Sequence, residues 1–223
     1  MLCYEEILEE VDNRNITISP FDIKLVNPNS VDVRLGNWFI PLMAFNGETM
    51  YGDLYYAPDA ASFPIFPGTT TLGMTKEIIG AHKHIVHQLR SKSSTRRKGI
   101  TVCDDAGFGD IGYENHWTVE LTAHIGGFVK LVVGEPFGQI VFDRTGRDTE
   151  HAYAGQYTDA DWPLCMIPSK RRKNYKTFFA DAGKYVEEYQ PETIVHFRVR
   201  EWNCLNEEQR IKHNPLWVEP YFL

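Results

Sequence analysis

Residues able to do chemistry crowd into one window of this 223-residue chain, Ser91 to Thr122. Lys92, Ser93, Ser94, Arg96 and Arg97 bring cations and hydroxyls together just before Gly99. Such a cluster offers positive charge and hydrogen-bond donors to an anionic group. Asp110 follows as a lone acid among Gly107, Gly109 and Gly112, where the chain must turn tightly. The run His116 to Thr122 then alternates with period two and reads as a strand. Thr118, Glu120 and Thr122 fall on one face of it, Val119 and Leu121 on the other. A carboxyl flanked by apolar positions is partly dried. Drying raises its pKa toward neutrality, where it can serve as general base and then general acid.

The elements that hold this window are legible from the same periodicities. Leu2, Ile7, Leu8 and Val11 predict a helix over residues 1–12. Ile16 to Phe21 is extended ahead of a proline. Val31 to Gly36 alternates, with Asp32 and Arg34 on one face, and Trp38-Phe39-Ile40 continues as strand. Residues 44–63 mix Gly, Asn, Asp and Pro with aromatics and read as a long surface connection. Thr69 to Met74, Gly99 to Cys103, Phe128 to Val133 and Gln139 to Asp143 read as strands, with Gly134 to Gly138 as a turn. Ile78 to Leu89 is apolar and rich in histidine (His82, His84, His87). Its spacing suits surface or core histidines, and no site is assigned to it. Beyond Pro163 the character changes: a basic run at Lys170–Lys173, a helix over Tyr175–Tyr189, a strand near Ile194–Val199 and an aromatic tail at 214–223. Many short strands with Gly/Pro turns predict an all-β core, a distorted barrel or jelly roll, with a few helices and a C-terminal α+β extension. The expected division is a domain over 1–163 and an extension over 164–223 packed upon it.

Composition narrows the function classes. The formal net charge is -7 and the pI about 5.6. A general nucleic-acid or anionic-membrane binder would need a basic surface. The apolar runs are too short to span a bilayer. Cys3, Cys103, Cys165 and Cys204 are scattered without a C-x-x-C pair, which suits reduced thiols in a cytoplasmic protein. The first ten residues lack the pattern of a secretory signal.

Several stretches, in order, resemble the dCTP deaminase branch of the dUTPase-like superfamily. Asn29-Ser30-Val31-Asp32-Val33-Arg34-Leu35-Gly36 is similar to its Ser-x-Asp-x-Arg-Leu-Gly signature. Pro67-Gly68-Thr69-Thr70-Thr71-Leu72 is similar to its Pro-Gly strand. Lys92-Ser93-Ser94-Thr95-Arg96-Arg97-Lys98-Gly99 resembles its basic-Ser-Ser-x-x-Arg-x-Gly motif. Ala106 to Tyr113, followed by Thr118-Val119-Glu120-Leu121, resembles its Ala-Gly-aromatic-x-Asp-x-Gly-aromatic and Glu-Leu block. Gly138-Gln139-Ile140-Val141-Phe142 resembles its later Gln strand. The resemblance covers roughly residues 16 to 157. A glutamate ten positions after the aspartate marks the deaminases within the superfamily, and here it is Glu120.

The resemblance implies a metal-free deamination of dCTP to dUTP and ammonia. Water attacks cytosine C4 while Glu120 moves the protons, Ser93 and the Ala106 carbonyl hold the water, and Arg97 orients them. It implies substrate contacts from Lys92, Ser94, Asp110 (sugar 3′-hydroxyl), Tyr113 (under the deoxyribose), Gln139, Tyr153, Gln156 and Tyr157. Mg²⁺ is expected on the triphosphate and no zinc, since P-C-x-x-C is missing. The expected assembly is a homotrimer with sites between subunits. The chain departs from the family lid, Lys-Tyr-x-x-Gln, at Gln156 and Ala160. Two other readings stand beside the first: a bifunctional enzyme that goes on to dUMP, and a non-catalytic nucleotide-sensing homologue.

Overall fold

The computed structural model describes residues 1–45, 47–155, 157, 162–167 and 169–198. Gln156, Cys204 and the tail 214–223 lie outside them.

Helix α1, Tyr4–Asp12, turns Ile7 inward and is capped at its start by the Glu6 carboxylate on the Cys3 amide, 2.9 Å. The rest of the core is β. The larger sheet runs in the order Ile100–Thr101, Glu114–Ala123, Thr70–Ala81, Trp38–Phe45, Leu54–Tyr56, Val195–Phe197. Ile16–Ser19 also pairs with Thr70–Ala81, and Glu48–Tyr51 with Trp38–Phe45. The second sheet runs Phe108–Gly109, Ile85–Ser91, Pro136–Arg144, Ser30–Arg34, Val26–Asn27. Val129–Val132 pairs with Ser62–Ile65 in a separate ribbon. These pairings are antiparallel. The all-β class therefore holds, but among the described residues the strands stack as sheets with free edges and do not close into a barrel.

The two faces of the larger sheet meet different partners. Phe39, Val119 and Leu121 point into the main core, against Leu89, Ile140 and Phe142 of the second sheet. Ile40, Leu72 and Met74 point outward, against residues 162–182. Helix α2, Ser93–Arg97, and helix α3, Ser169–Tyr189, complete the elements needed here. No described helix is long and apolar enough to cross a membrane.

Local reading failed where pairing is long-range. The stretch read as a surface connection instead contains the strands Glu48–Tyr51 and Leu54–Tyr56 and the start of Ser62–Ile65, with Asp53, Leu54, Tyr55 and Ala57 buried. Their Gly, Asp and Pro residues mark the turns between hairpins. Ile78–Leu89 divides between two strands joined at His82–His84, where Lys83 takes a positive φ of 58°. Pro136 to Gly138, read as a turn, starts a strand and carries a bulge. The basic run Lys170–Lys173 falls in the first turns of α3.

Gly109 is a packing necessity. A Cβ there would lie 2.6 Å from His87 Nε2 and 2.6 Å from the Trp117 ring, both fixed in the core. We expect Gly109→Ala to cost about 1–3 kcal/mol through overpacking, read as a lower urea midpoint with an unchanged slope.

Candidate active site

Glu120 sits in the middle of the Glu114–Ala123 strand, whose burial alternates from Asn115 to Ala123. Val119 and Leu121 are fully buried on one side, and Thr118, Glu120 and Thr122 are half-buried on the other. This is the facing that the sequence pattern predicts. Burial pushes the Glu120 carboxyl up to about 7, its own amide opposes the shift, and the nearby Asp104 charge adds to it. The strand is anchored beside the 102–107 loop, because the Glu120 amide donates to the Val102 carbonyl at 3.0 Å. That loop brings Cys103 and Asp104 toward Glu120. Burial pushes the Cys103 thiol up to about 11, and Glu120 contributes. Ala106, in the same loop, is exposed.

Tyr113 lies just before this strand. Its ring packs edge-on to Trp117 and Tyr153, with centroids 5.6 and 5.7 Å away, and lies 6.3 Å from the His87 ring. Burial raises the Tyr113 phenol first, followed by Cys165, Tyr153 and Glu120. Tyr113, Glu120, Tyr153 and Cys165 thus form one electrostatic neighbourhood. His87 is fully buried behind Tyr113, and burial pushes its imidazole down to about 3. It is a neutral core residue, in line with the choice to give it no site. His82 and His84 face the Glu114 and Asp148 carboxylates, each at 2.9 Å.

The anion cluster lies on a short helix. Lys92 precedes α2, and Gly99, with φ of 86°, ends the turn after it. Thr95 is buried and pins the helix, while Ser93, Ser94, Arg96 and Arg97 are exposed. Lys92 differs from its neighbours. It forms an ion pair with Asp32, whose other oxygen accepts from Asn27 Nδ2 at 2.9 Å. In this structure it ties α2 to the second sheet, where the sequence reading made it a phosphate contact. Gln139 is paired in register with Asp32 on one side and Arg90 on the other, so the three share a face.

Asp110 is exposed at a turn in which its carbonyl accepts from the Tyr113 amide at 3.1 Å. The Tyr153 amide donates to the Ile111 carbonyl at 2.7 Å. Tyr157 is exposed, and its carbonyl accepts from Asn115 Nδ2 at 3.5 Å. The chain after residue 150 therefore runs back over the start of the Glu120 strand.

The structure brings Glu120, Tyr113 and Tyr153 together. It leaves Ser93, Ser94, Arg97 and Asp110 open to solvent on their own chain. A cavity of about 340 Å³ lies beside α2, lined by Arg90, Ser91, Arg96, Thr101, Asp104 and Phe108 among others. A wider groove of about 810 Å³ is lined by Ile111 and residues 145–151. Neither is lined by Glu120. Sequence reasoning placed Arg96 in the cation cluster but passed over Arg90 and Asp104, which gave no local signal.

Residues 1–145 match the family model described as dCTP deaminase-like, and the chain belongs to that family. A protein of Methanoregula boonei named "dCTP deaminase, dUMP-forming" is 32% identical over 149 residues, 64% of this chain and 81% of its own length. One of the same name from Bifidobacterium longum is 30% identical over 188 residues, 80% of this chain and 96% of its own length. The crystal structure of 2′-deoxycytidine 5′-triphosphate deaminase from Agrobacterium tumefaciens aligns at a TM-score of 0.49 and 18% identity, over 65% of this chain and 47% of that one.

The Glu120 shift carries a stability consequence with a definite sign. Its folded pKa stands near 7, above the ordinary 4.5. The protonated carboxyl suits the fold, so its contribution is complete below about pH 4.5. That contribution is lost as pH rises through 7. Glu120→Gln mimics the neutral form. We expect it to match the parent at pH 4 and to exceed it at pH 8 by on the order of 2 kcal/mol. Urea melts at both pH values check this.

Proposed function

We propose that this chain deaminates dCTP and carries the product on to dUMP. The observation that carries the reading is Glu120, a carboxyl held on a strand in a drying environment that poises it near neutrality. A general base must be ionised and yet willing to hold a proton, and a pKa close to the working pH satisfies both.

The chemistry balances as two hydrolyses. Water adds to C4 of the cytosine ring while Glu120 takes its proton. The same group gives that proton to ring N3, then takes the proton of the new C4 hydroxyl and passes it to the amine, so that C4=O forms as the C4–N bond breaks and ammonia leaves. Ser93, Arg97 and the Ala106 carbonyl fix the water and the carboxylate. Tyr113 lies under the deoxyribose, and Asp110 accepts from its 3′-hydroxyl. A second water then splits dUTP into dUMP and pyrophosphate. Mg²⁺ enters as part of the substrate, on its phosphates. The names of the relatives favour dUMP over dUTP as the released product, which turns the order of preference in the sequence reading. The pairing of Lys92 with Asp32 moves phosphate binding toward Ser94, Arg97 and the cavity arginines, Arg90 and Arg96.

The exposure of Ser93, Ser94 and Arg97 supports a homotrimer in which α2 of one subunit serves the Glu120 pocket of the next. Two inactive chains, Glu120→Gln and Arg97→Ala, should then regain turnover when unfolded together and refolded as a mixture. Mixing without exchange should leave both inactive.

Incubating the protein with Mg²⁺ and dCTP should yield ammonia, dUMP and pyrophosphate by chromatography. Recovery of unchanged dCTP from folded protein would refute the proposal. Release of dUTP alone would leave the deaminase and remove the second step. Glu120→Gln should cut turnover by about 10³-fold or more and leave nucleotide binding in place. The acid limb of kcat/KM should have its midpoint near pH 7, activity rising as Glu120 ionises.

A further inference from the structure

The family match ends at residue 145, yet the sheet face that carries Glu120 is roofed by residues 162–182. The register establishes this. Glu120 lies opposite Leu72, and Leu72 lies opposite Ile40. Thr118 lies opposite Met74. Directly opposed residues of antiparallel strands project on the same face. Ile40, Leu72 and Met74 are buried in one cluster with Cys165, Met166, Tyr175 and Phe179. Val119, Leu121 and Phe39 project the other way, into the main core.

The roof is tied down at three points. The Tyr51 hydroxyl donates to the Met166 carbonyl at 3.2 Å. Beyond α3, Val195–Phe197 adds to the edge of Leu54–Tyr56. There His196 Nε2 meets the buried Asp53 carboxylate at 2.7 Å. Leu164–Met166 is a single turn of 3₁₀ helix that α3 holds against the sheet.

We propose that the segment Trp162–Ile167, held down by α3, is a same-chain wall of the Glu120 site whose apolar side chains keep water from that carboxyl. It is a positioning element and takes no part in bond making. Its meaning for catalysis rests on the reading of Glu120 given above, but the wall itself does not. Removing apolar bulk from the wall admits water to the carboxyl and eases its ionisation. The titratable groups around Glu120 are Asp104 and Cys103 from the neighbouring loop and Tyr113 at the strand's start. Tyr153 stands beside Tyr113. Met166→Ala changes none of them.

The test is a carboxyl NMR titration of the full chain with ¹³C-labelled glutamate and no nucleotide, with Glu120→Gln identifying the signal. The parent should titrate near 7. Met166→Ala should move the midpoint down by about one unit. Tyr189→Ala, exposed at the far end of α3, should leave it in place. A Met166→Ala protein with parental circular dichroism and an unmoved midpoint would overturn the proposal. Should that variant fail to fold, the parent decides the matter through Overhauser contacts. Contacts from the Met166 methyl to the methyls of Leu72, the residue opposite Glu120, support the wall, and their absence refutes it. A chain that titrates as expected but leaves dCTP untouched would keep the wall and remove the deaminase reading.

Discussion

The row Glu120, Leu72, Ile40 across three neighbouring strands is the constraint on which the candidate site depends. It places an ionisable carboxyl between threonines, Thr118 and Thr122, and the apolar side chains of Leu72 and Ile40. Charge is costly there, because a low-dielectric surround cannot replace the water the carboxylate loses. The fold accepts that cost because the strand is fixed by its other face. Val119 and Leu121 are fully buried against the second sheet and hold the register that points Glu120 outward. Slipping the strand by one residue would bury the carboxyl in the main core and expose those two side chains.

A rigid sheet and a short exposed helix divide the remaining work. The larger sheet carries Glu120, and Tyr113 and Trp117 near the start of that strand pack with His87 of the second sheet. Helix α2 exposes Ser93, Ser94 and Arg97 and lends Arg96 to the cavity beside it. Lys92 shows how similar charges in one cluster take different duties. Its partner Asp32 is buried, and breaking the pair leaves a buried carboxylate without its cation. Arg97, five residues on, is exposed.

The chain past residue 145, where the family model's match ends, adds a layer to the sheet. Its side chains cover the outer face of the larger sheet, and its last described strand extends that sheet's edge. An apolar sheet face left open to water is a site for association. This covering turns Ile40, Leu72 and Met74 into interior.

The period-two runs by themselves specified the Glu120 strand, its facing, and the β character of the core. The 3.6-residue spacing likewise marked α1 and most of α3. Those are local properties, written in which side of an element each residue faces. The motif order carried the family in the same way, because the Lys92–Gly99 and Ala106–Tyr113 blocks are contiguous. What only the tertiary structure decided is which faces meet. The pairing of Ile40 with Leu72, the Asp32 partner of Lys92, the Asp104 charge beside Glu120 and the packing of Cys165 and Tyr175 with Leu72 all join residues distant in sequence. No local pattern encodes such pairings, since they depend on register and packing summed over the whole fold. The pKa of Glu120 belongs with them: its residue type and strand position are sequence facts, but how much water reaches it is set by everything folded around it.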